Sequence, residues 1–94
     1  MYYVYVLRSG KDGKFYIGWT SDLKRRMREH HSGNNTSTSN RRPLALIYYE
    51  AYLNKQDAAG REKFLKGGSG KKYLHKQLSH YLGGVAQPVR AAES

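Results

Sequence analysis

FYIGWTSDLKRRMREH, residues 15–30, joins a short aromatic run to a basic helix through a tight turn, and its reading decides the fold. Residues 14–18 alternate as a strand does, and Gly18 at the end allows something to approach the backbone closely. Beyond Asp22 the spacing becomes helical. At about 100° per residue, Leu23, Met27 and His30 share one stripe with Arg26 on its flank, while Lys24, Arg25, Arg28 and Glu29 face away. Thr20 or Ser21 is the expected cap, and Asp22 in the first turn suits the positive end of the helix dipole. Arg26 is the odd basic residue. The others read as a solvated, phosphate-attracting face, whereas a charge at the core edge costs free energy unless it finds a partner.

Working outward, residues 1–8, MYYVYVLR, are β-branched and aromatic, and Ser9-Gly10-Lys11-Asp12-Gly13 carries an Asp-Gly turn signal. A hairpin is expected, with Tyr3, Tyr5 and Leu7 on one face of its first strand. Residues 31–43 form a polar loop with Gly33 as the helix stop, and a loop this long favours function or disorder. Residues 44–53, LALIYYEAYL, read as a third strand too apolar to be only an exposed edge. Asn54 caps a helix over 55–66, with Asp57 at its third position and Gly67-Gly68 ending it. Glu62 falls within about 60° of Ala58 and Leu65, so a carboxylate occupies the face that should be buried. Ser69 caps a last helix over 71–82 that ends at Gly83-Gly84, and residues 85–94 read as a flexible tail. The expected architecture is α+β over residues 1–84: a three-stranded, mostly antiparallel sheet flanked by three helices.

Ninety-four residues suit one domain, and nine tyrosines compensate for an apolar fraction of only 38% by filling a small core while keeping a hydroxyl at its rim. Seventeen Lys and Arg against seven Asp and Glu give a net charge of +10, which calls for a polyanion. Nucleic acid is the first expectation, because neutralising phosphates releases counterions. An acidic membrane surface is the rival. No apolar run approaches the roughly 20 residues of a membrane span, and the N-terminus lacks the order of a signal peptide. A cytoplasmic protein without a membrane partner is therefore expected. The absence of cysteine fits a reducing compartment and removes thiol nucleophiles and thiolate zinc sites.

Tyr5, Tyr16, Arg26, His30 and Glu62 are the residues suited to chemistry, each on or beside a face where bulk apolar side chains belong. Phosphodiester hydrolysis needs an activated water, a stabiliser for the pentacovalent phosphate and help for the leaving oxygen. Glu62 can hold one Mg²⁺ or Mn²⁺ that keeps several waters, and Arg26 can make a charge-assisted fork to the scissile phosphate. The acidic residues form no close cluster in sequence, which disfavours a two-metal site.

These residues also carry a resemblance. Val4-Tyr5-Val6, then Tyr16-Ile17-Gly18 eleven positions on, then Arg26 with His30, then Glu62, resembles the GIY-YIG nuclease family. The likeness is to its short stand-alone form related to the nuclease domain of the UvrC excision-repair subunit, and it covers residues 1–82. It implies a DNA endonuclease using a single divalent ion, Mg²⁺ or Mn²⁺, in repair, recombination or degradation. By the same resemblance Tyr16 is the general base or orients the water, and Tyr5 bonds the phosphate or the water. Arg26 stabilises the transition state, His30 assists proton transfer and Glu62 binds metal. Three positions depart from the family pattern. The first triplet is VYV, Trp19 stands where some members place a lysine, and Tyr73-Leu74-His75 occupies a region where many carry an asparagine.

Each residue has a plainer reading. Tyr5 alone would be core, Arg26 one more surface charge, Glu62 a helical partner of Lys66, and His30 the end of an apolar stripe. Lys24, Arg25, Arg28, Arg41, Arg42, Lys71 and Lys72 are the expected nucleic-acid contacts, setting affinity rather than sequence choice, with a solvated surface as the alternative. The competing function is a basic nucleic-acid-binding module without turnover. So small a domain has little surface for reading sequence, so DNA structure, single- or double-stranded, or a targeting protein partner would select its sites.

Overall fold

The β-branched and aromatic run at the start of the chain becomes the middle of the sheet. A computed structural model describes residues 1–86. In it β1 (Tyr2–Ser9) lies between β2 (Phe15–Thr20) and β3 (Leu44–Tyr52), antiparallel to both. Val4, Tyr5, Val6 and Leu7 are all fully buried, which explains a continuous apolar run in place of alternation: a central strand is covered on both faces.

The register sorts the side chains. Tyr5 pairs with Gly18 and Leu7 with Tyr16 across β1 and β2, so Tyr3, Tyr5, Leu7, Tyr16 and Gly18 share one face. Trp19 lies on the other, against Tyr2 (ring centroids 6.3 Å) and under the Lys55 ammonium at 5.6 Å. The turn is built as its sequence predicts. Gly13 takes φ 73°, and backbone bonds from Gly13 to Ser9 (2.8 Å) and from Ser9 to Lys14 (2.9 Å) close it.

β3 departs from expectation, since among the described residues it pairs only with β1 and is an edge strand. β1 holds the central place, so Leu46 and Tyr49 of β3 remain exposed. A register irregularity against Val6 and Leu7 bends the ladder there.

α1 (Leu23–Ser32) starts one position later than the dipole reading placed it. Asp22 is itself the N-cap, its carboxylate accepting from the Arg25 amide at 3.0 Å, and Thr20 braces the Asp22 amide at 3.1 Å. Its Leu23 and Met27 pack on the buried cluster of Tyr5, Leu7 and Leu44, and Gly33 ends it at φ 84°. α2 (Lys55–Lys66) is capped by Asn54, whose side-chain oxygen accepts from the Gln56 amide at 2.7 Å.

The chain forms two compact units that divide after Lys63. The second begins at Phe64 and contains the end of α2, α3 (Gly68–Gln77) and the short α4 (Ser79–Ala86). Here the single helix expected over 71–82 is two. Gly67 caps α3 in place of Ser69, because Gly70 lies so close to the Phe64 carbonyl and the Leu65 backbone that a Cβ would collide with them. Leu78 leaves helical geometry between the two, and α4 continues through Gly83 and Gly84 rather than stopping at them. Of the expected tail, residues 87–94 lie outside the described residues. No helix among the described residues is long and apolar enough to cross a membrane.

Candidate active site

Tyr5, Tyr16, Arg26, His30 and Glu62 all belong to the first unit, and the hairpin with α1 brings the first four together. The Tyr5 hydroxyl bonds His30 Nε2 at 3.0 Å, and the rings of Tyr5, Tyr16 and His30 stand edge-on or tilted with centroids 5.3–6.4 Å apart. The YIG glycine makes this possible. A Cβ on Gly18 would sit 2.5 Å from the Tyr5 hydroxyl oxygen and 2.7 Å from Cζ, so the phenol of one triplet lies across the glycine of the other.

Overfilling a packed site of this kind costs about 1–3 kcal/mol. Gly18→Ala should therefore lower the stability read by urea unfolding by about that amount. Gly60→Ala is the control, since nothing lies within 4 Å of its Cβ position on α2. That variant should gain about 0.5–1 kcal/mol from helix propensity.

The five residues differ in access. Tyr5 and His30 are fully buried, whereas Tyr16, Arg26 and Glu62 are half-exposed. Burial, and then the neighbouring Tyr16 phenol, push Tyr5 up to about 12 against the hydrogen bond and charge of Arg26, so it remains a phenol at neutral pH. Glu62 also acts to raise Tyr5, which puts this carboxylate of α2 within the electrostatic reach of the β1 hydroxyl. Arg26 has the partner that its position demands, Glu29 at 2.9 Å, and Glu29 also meets Arg25 at 3.4 Å. Glu29 therefore does not simply face away.

Burial holds His30 below its ordinary value of 6.5, reinforced by the Arg26 and His31 charges and opposed by Glu29. The unfolded chain consequently takes up this proton at a higher pH than the folded one. Stability from the neutral ring is complete above the unfolded value and is lost as pH falls through the folded one. Acidification below about 6.5 should lower the melting temperature of the wild type more than that of His30→Gln, a difference read by thermal unfolding across pH.

Two features escape the sequence reading. Thr38, fully buried in the polar loop, meets His30 Nδ1 through its hydroxyl at 2.6 Å. On the opposite sheet face, Glu50 accepts both arms of Arg61 (2.9 and 3.0 Å) and the hydroxyls of Tyr48 (2.5 Å) and Tyr52 (2.6 Å). Burial raises the Glu50 carboxyl, but the Arg61 fork and the two phenols outweigh it and hold the group low. This clamp fixes α2 to β3 one residue before Glu62. A lone carboxylate flanked by tyrosines two positions away on each side was its signal in the sequence.

Lys24, Arg25 and Arg28 are exposed along α1, and Lys71 and Lys72 are exposed on α3 of the second unit. Arg41 is half-buried and tied to β2, and Arg42 is exposed with one bond back into its own loop. Arg41 Nη2 donates to the Phe15 carbonyl at 3.3 Å, and Arg42 Nε donates to that of Ser39 at 3.2 Å.

The GIY-YIG catalytic domain model matches residues 1–74. A UPF0213 protein of Clostridium perfringens is 40% identical over 67 residues, 70% of this chain and 71% of its own. One from Pediococcus acidilactici is 41% identical over 76 residues, 78% of this chain and 76% of its own. Among solved structures, the solution NMR structure of a UPF0213 protein from Bacillus halodurans is similar at a TM-score of 0.53 and 34% identity, covering 82% of this chain and 85% of that one.

Proposed function

The chain belongs to the GIY-YIG family, among its small UPF0213 members, and from that premise we propose that it is a metal-dependent endonuclease hydrolysing phosphodiester bonds of DNA. What supports this reading is the buried Tyr5–His30 hydrogen bond with the half-exposed Tyr16 ring beside it, together with the charges of half-exposed Arg26 and Glu62 acting on the Tyr5 hydroxyl.

GIY-YIG nucleases typically use a divalent metal, and the donor set suits a hard one. Among the described residues no three His, Asp or Glu converge, so Mg²⁺ or Mn²⁺ would rest on the Glu62 carboxylate and keep most of its waters. Bound there, it supplies Lewis-acid stabilisation of phosphate charge and a more acidic water. The protein supplies the rest. Arg26 donates its fork to the scissile phosphate and balances the charge that accumulates at the pentacovalent phosphorus, exchanging Glu29 for the substrate as it does so. Tyr16, the accessible phenol, orients the attacking water. Tyr5 stays protonated and buried, holding Arg26 on one side and His30 on the other. The neutral His30 ring takes up the proton that the attacking water loses, Tyr5 giving its own hydrogen to Nε2 while its oxygen receives that one, so the phenol ends as it began. Exposed Lys24, Arg25 and Arg28 draw the phosphate backbone to α1, where such contacts set affinity.

Labelled single-stranded, duplex, flap and branched oligonucleotides incubated with Mg²⁺, Mn²⁺ or a chelator test the reading. Cleavage of at least one substrate only when cation is present is expected. Salt-sensitive binding with no cleavage on any of them would leave a basic adaptor and remove the nuclease.

A further inference from the structure

Thr38 lies in the stretch Asn34–Asn40, a polar loop that composition marks as solvated, yet its side chain is fully buried. Its hydroxyl meets His30 Nδ1 at 2.6 Å, while Nε2 of the same ring meets the Tyr5 hydroxyl at 3.0 Å. Both nitrogens of a buried imidazole are thereby occupied, by two neutral hydroxyls. Only one of the two nitrogens carries hydrogen in the neutral ring, so the row Thr38–His30–Tyr5 has a direction.

The loop is built to hold Thr38 there. Arg41 and Thr38 close a 3-10 turn through a 2.9 Å backbone bond. That turn is tied to the β-hairpin by Ser9 Oγ donating to the Arg41 carbonyl at 2.7 Å, Gly10 N donating to the Pro43 carbonyl at 2.7 Å, and Lys11 Nζ donating to the Asn40 carbonyl at 3.3 Å. Ser9 is itself buried. Hairpin, loop and helix thus meet on one imidazole.

We propose that Thr38 is a positioning residue that sets the tautomer of His30, accepting the Nδ1 hydrogen so that Nε2 is bare and receives the hydrogen of the Tyr5 hydroxyl. The direction follows from Tyr5. Among the described hydrogen bonds its hydroxyl meets only His30 Nε2, so its hydrogen has no other acceptor. Reversing the row would strand that hydrogen in the protein interior. Tautomer choice by the partner of the other nitrogen is the usual way proteins fix an imidazole. The Tyr5 and Tyr16 rings stand against the imidazole and the charges of Arg26, Glu29 and His31 act on it, and among the described hydrogen bonds none of these groups bonds Nδ1. The consequence for turnover rests on the nuclease reading above; the tautomer itself does not.

NMR of the whole protein with isotopically labelled histidine, read through the long-range ring couplings, reports which nitrogen of His30 bears hydrogen. The wild type and Thr38→Ser should show hydrogen on Nδ1 alone, and Thr38→Val, which takes away the acceptor of that hydrogen, should also populate the form with hydrogen on Nε2, the backbone spectrum being otherwise preserved. On the oligonucleotide substrate, the valine variant should lose about 10-fold or more in kcat at unchanged KM, and the serine variant should recover it. Hydrogen on Nε2 in the wild type, or on Nδ1 alone in Thr38→Val as in the wild type, would overturn the proposal. Inactivity of the wild type with the predicted couplings would remove the nuclease reading and leave the assignment of Thr38 standing. If the valine variant does not fold, the wild-type and serine spectra decide the matter.

Discussion

Arg26→Ala should lower kcat for oligonucleotide cleavage by about 10²- to 10³-fold, the loss seen when one preorganised donor to a developing anion is removed. Its stability should scarcely change. The Arg26–Glu29 pair has both side chains about a third exposed, and pairs of this kind contribute a few tenths to 1 kcal/mol. The large loss in rate and the small loss in stability together separate a chemical role from a structural one. Lysine at this position keeps the charge but loses the planar fork, so Arg26→Lys should fall between the two. Single-turnover cleavage alongside urea unfolding reads both quantities. Wild-type turnover in the alanine variant would dismiss Arg26 as another surface charge.

Glu62→Gln should abolish cation-dependent cleavage with a loss of about the same size, and added Mn²⁺ should not restore it. The amide keeps the volume of the carboxylate, removes its charge and turns one acceptor oxygen into a donor. α2 should stay in place, because its Asn54 cap, its buried Ala58 and the Arg61–Glu50 fork that ties it to β3 are not altered. Equal cation dependence in the variant and the wild type would move the metal elsewhere.

Much of this was legible in the sequence for identifiable physical reasons. Strand period, the Asp-Gly turn and the Gly33 stop are local signals, and each formed where residue type placed it. The helical period places His30 on the buried side of α1, where it is fully buried, because such faces depend on spacing alone, whereas Glu62, expected on the buried face beside Ala58 and Leu65, is half-exposed. Long-range pairing was less legible. LALIYYEAYL has the apolar content of an inner strand, and nothing within it says that β1 would take the centre and leave Leu46 and Tyr49 exposed. The early start of α3 goes with Gly70 packing on the end of α2, a contact that helix propensity does not encode. Thr38 was hidden among serines, threonines and asparagines with the same local chemistry, and only the fold distinguishes the one that reaches His30. Glycine 18 was marked as a point of close approach, but it is the chain's own Tyr5 that approaches.

Mn²⁺ titrated into isotopically labelled protein tests the central claim most directly, since its unpaired electrons broaden nearby NMR signals whether or not any substrate is cut. Resonances of Tyr16, Arg26 and Glu62 should broaden first, with Tyr5 and His30 behind them, and Glu62→Gln should suppress the effect. Broadening centred elsewhere on the protein, or unchanged in the glutamine variant, would contradict it.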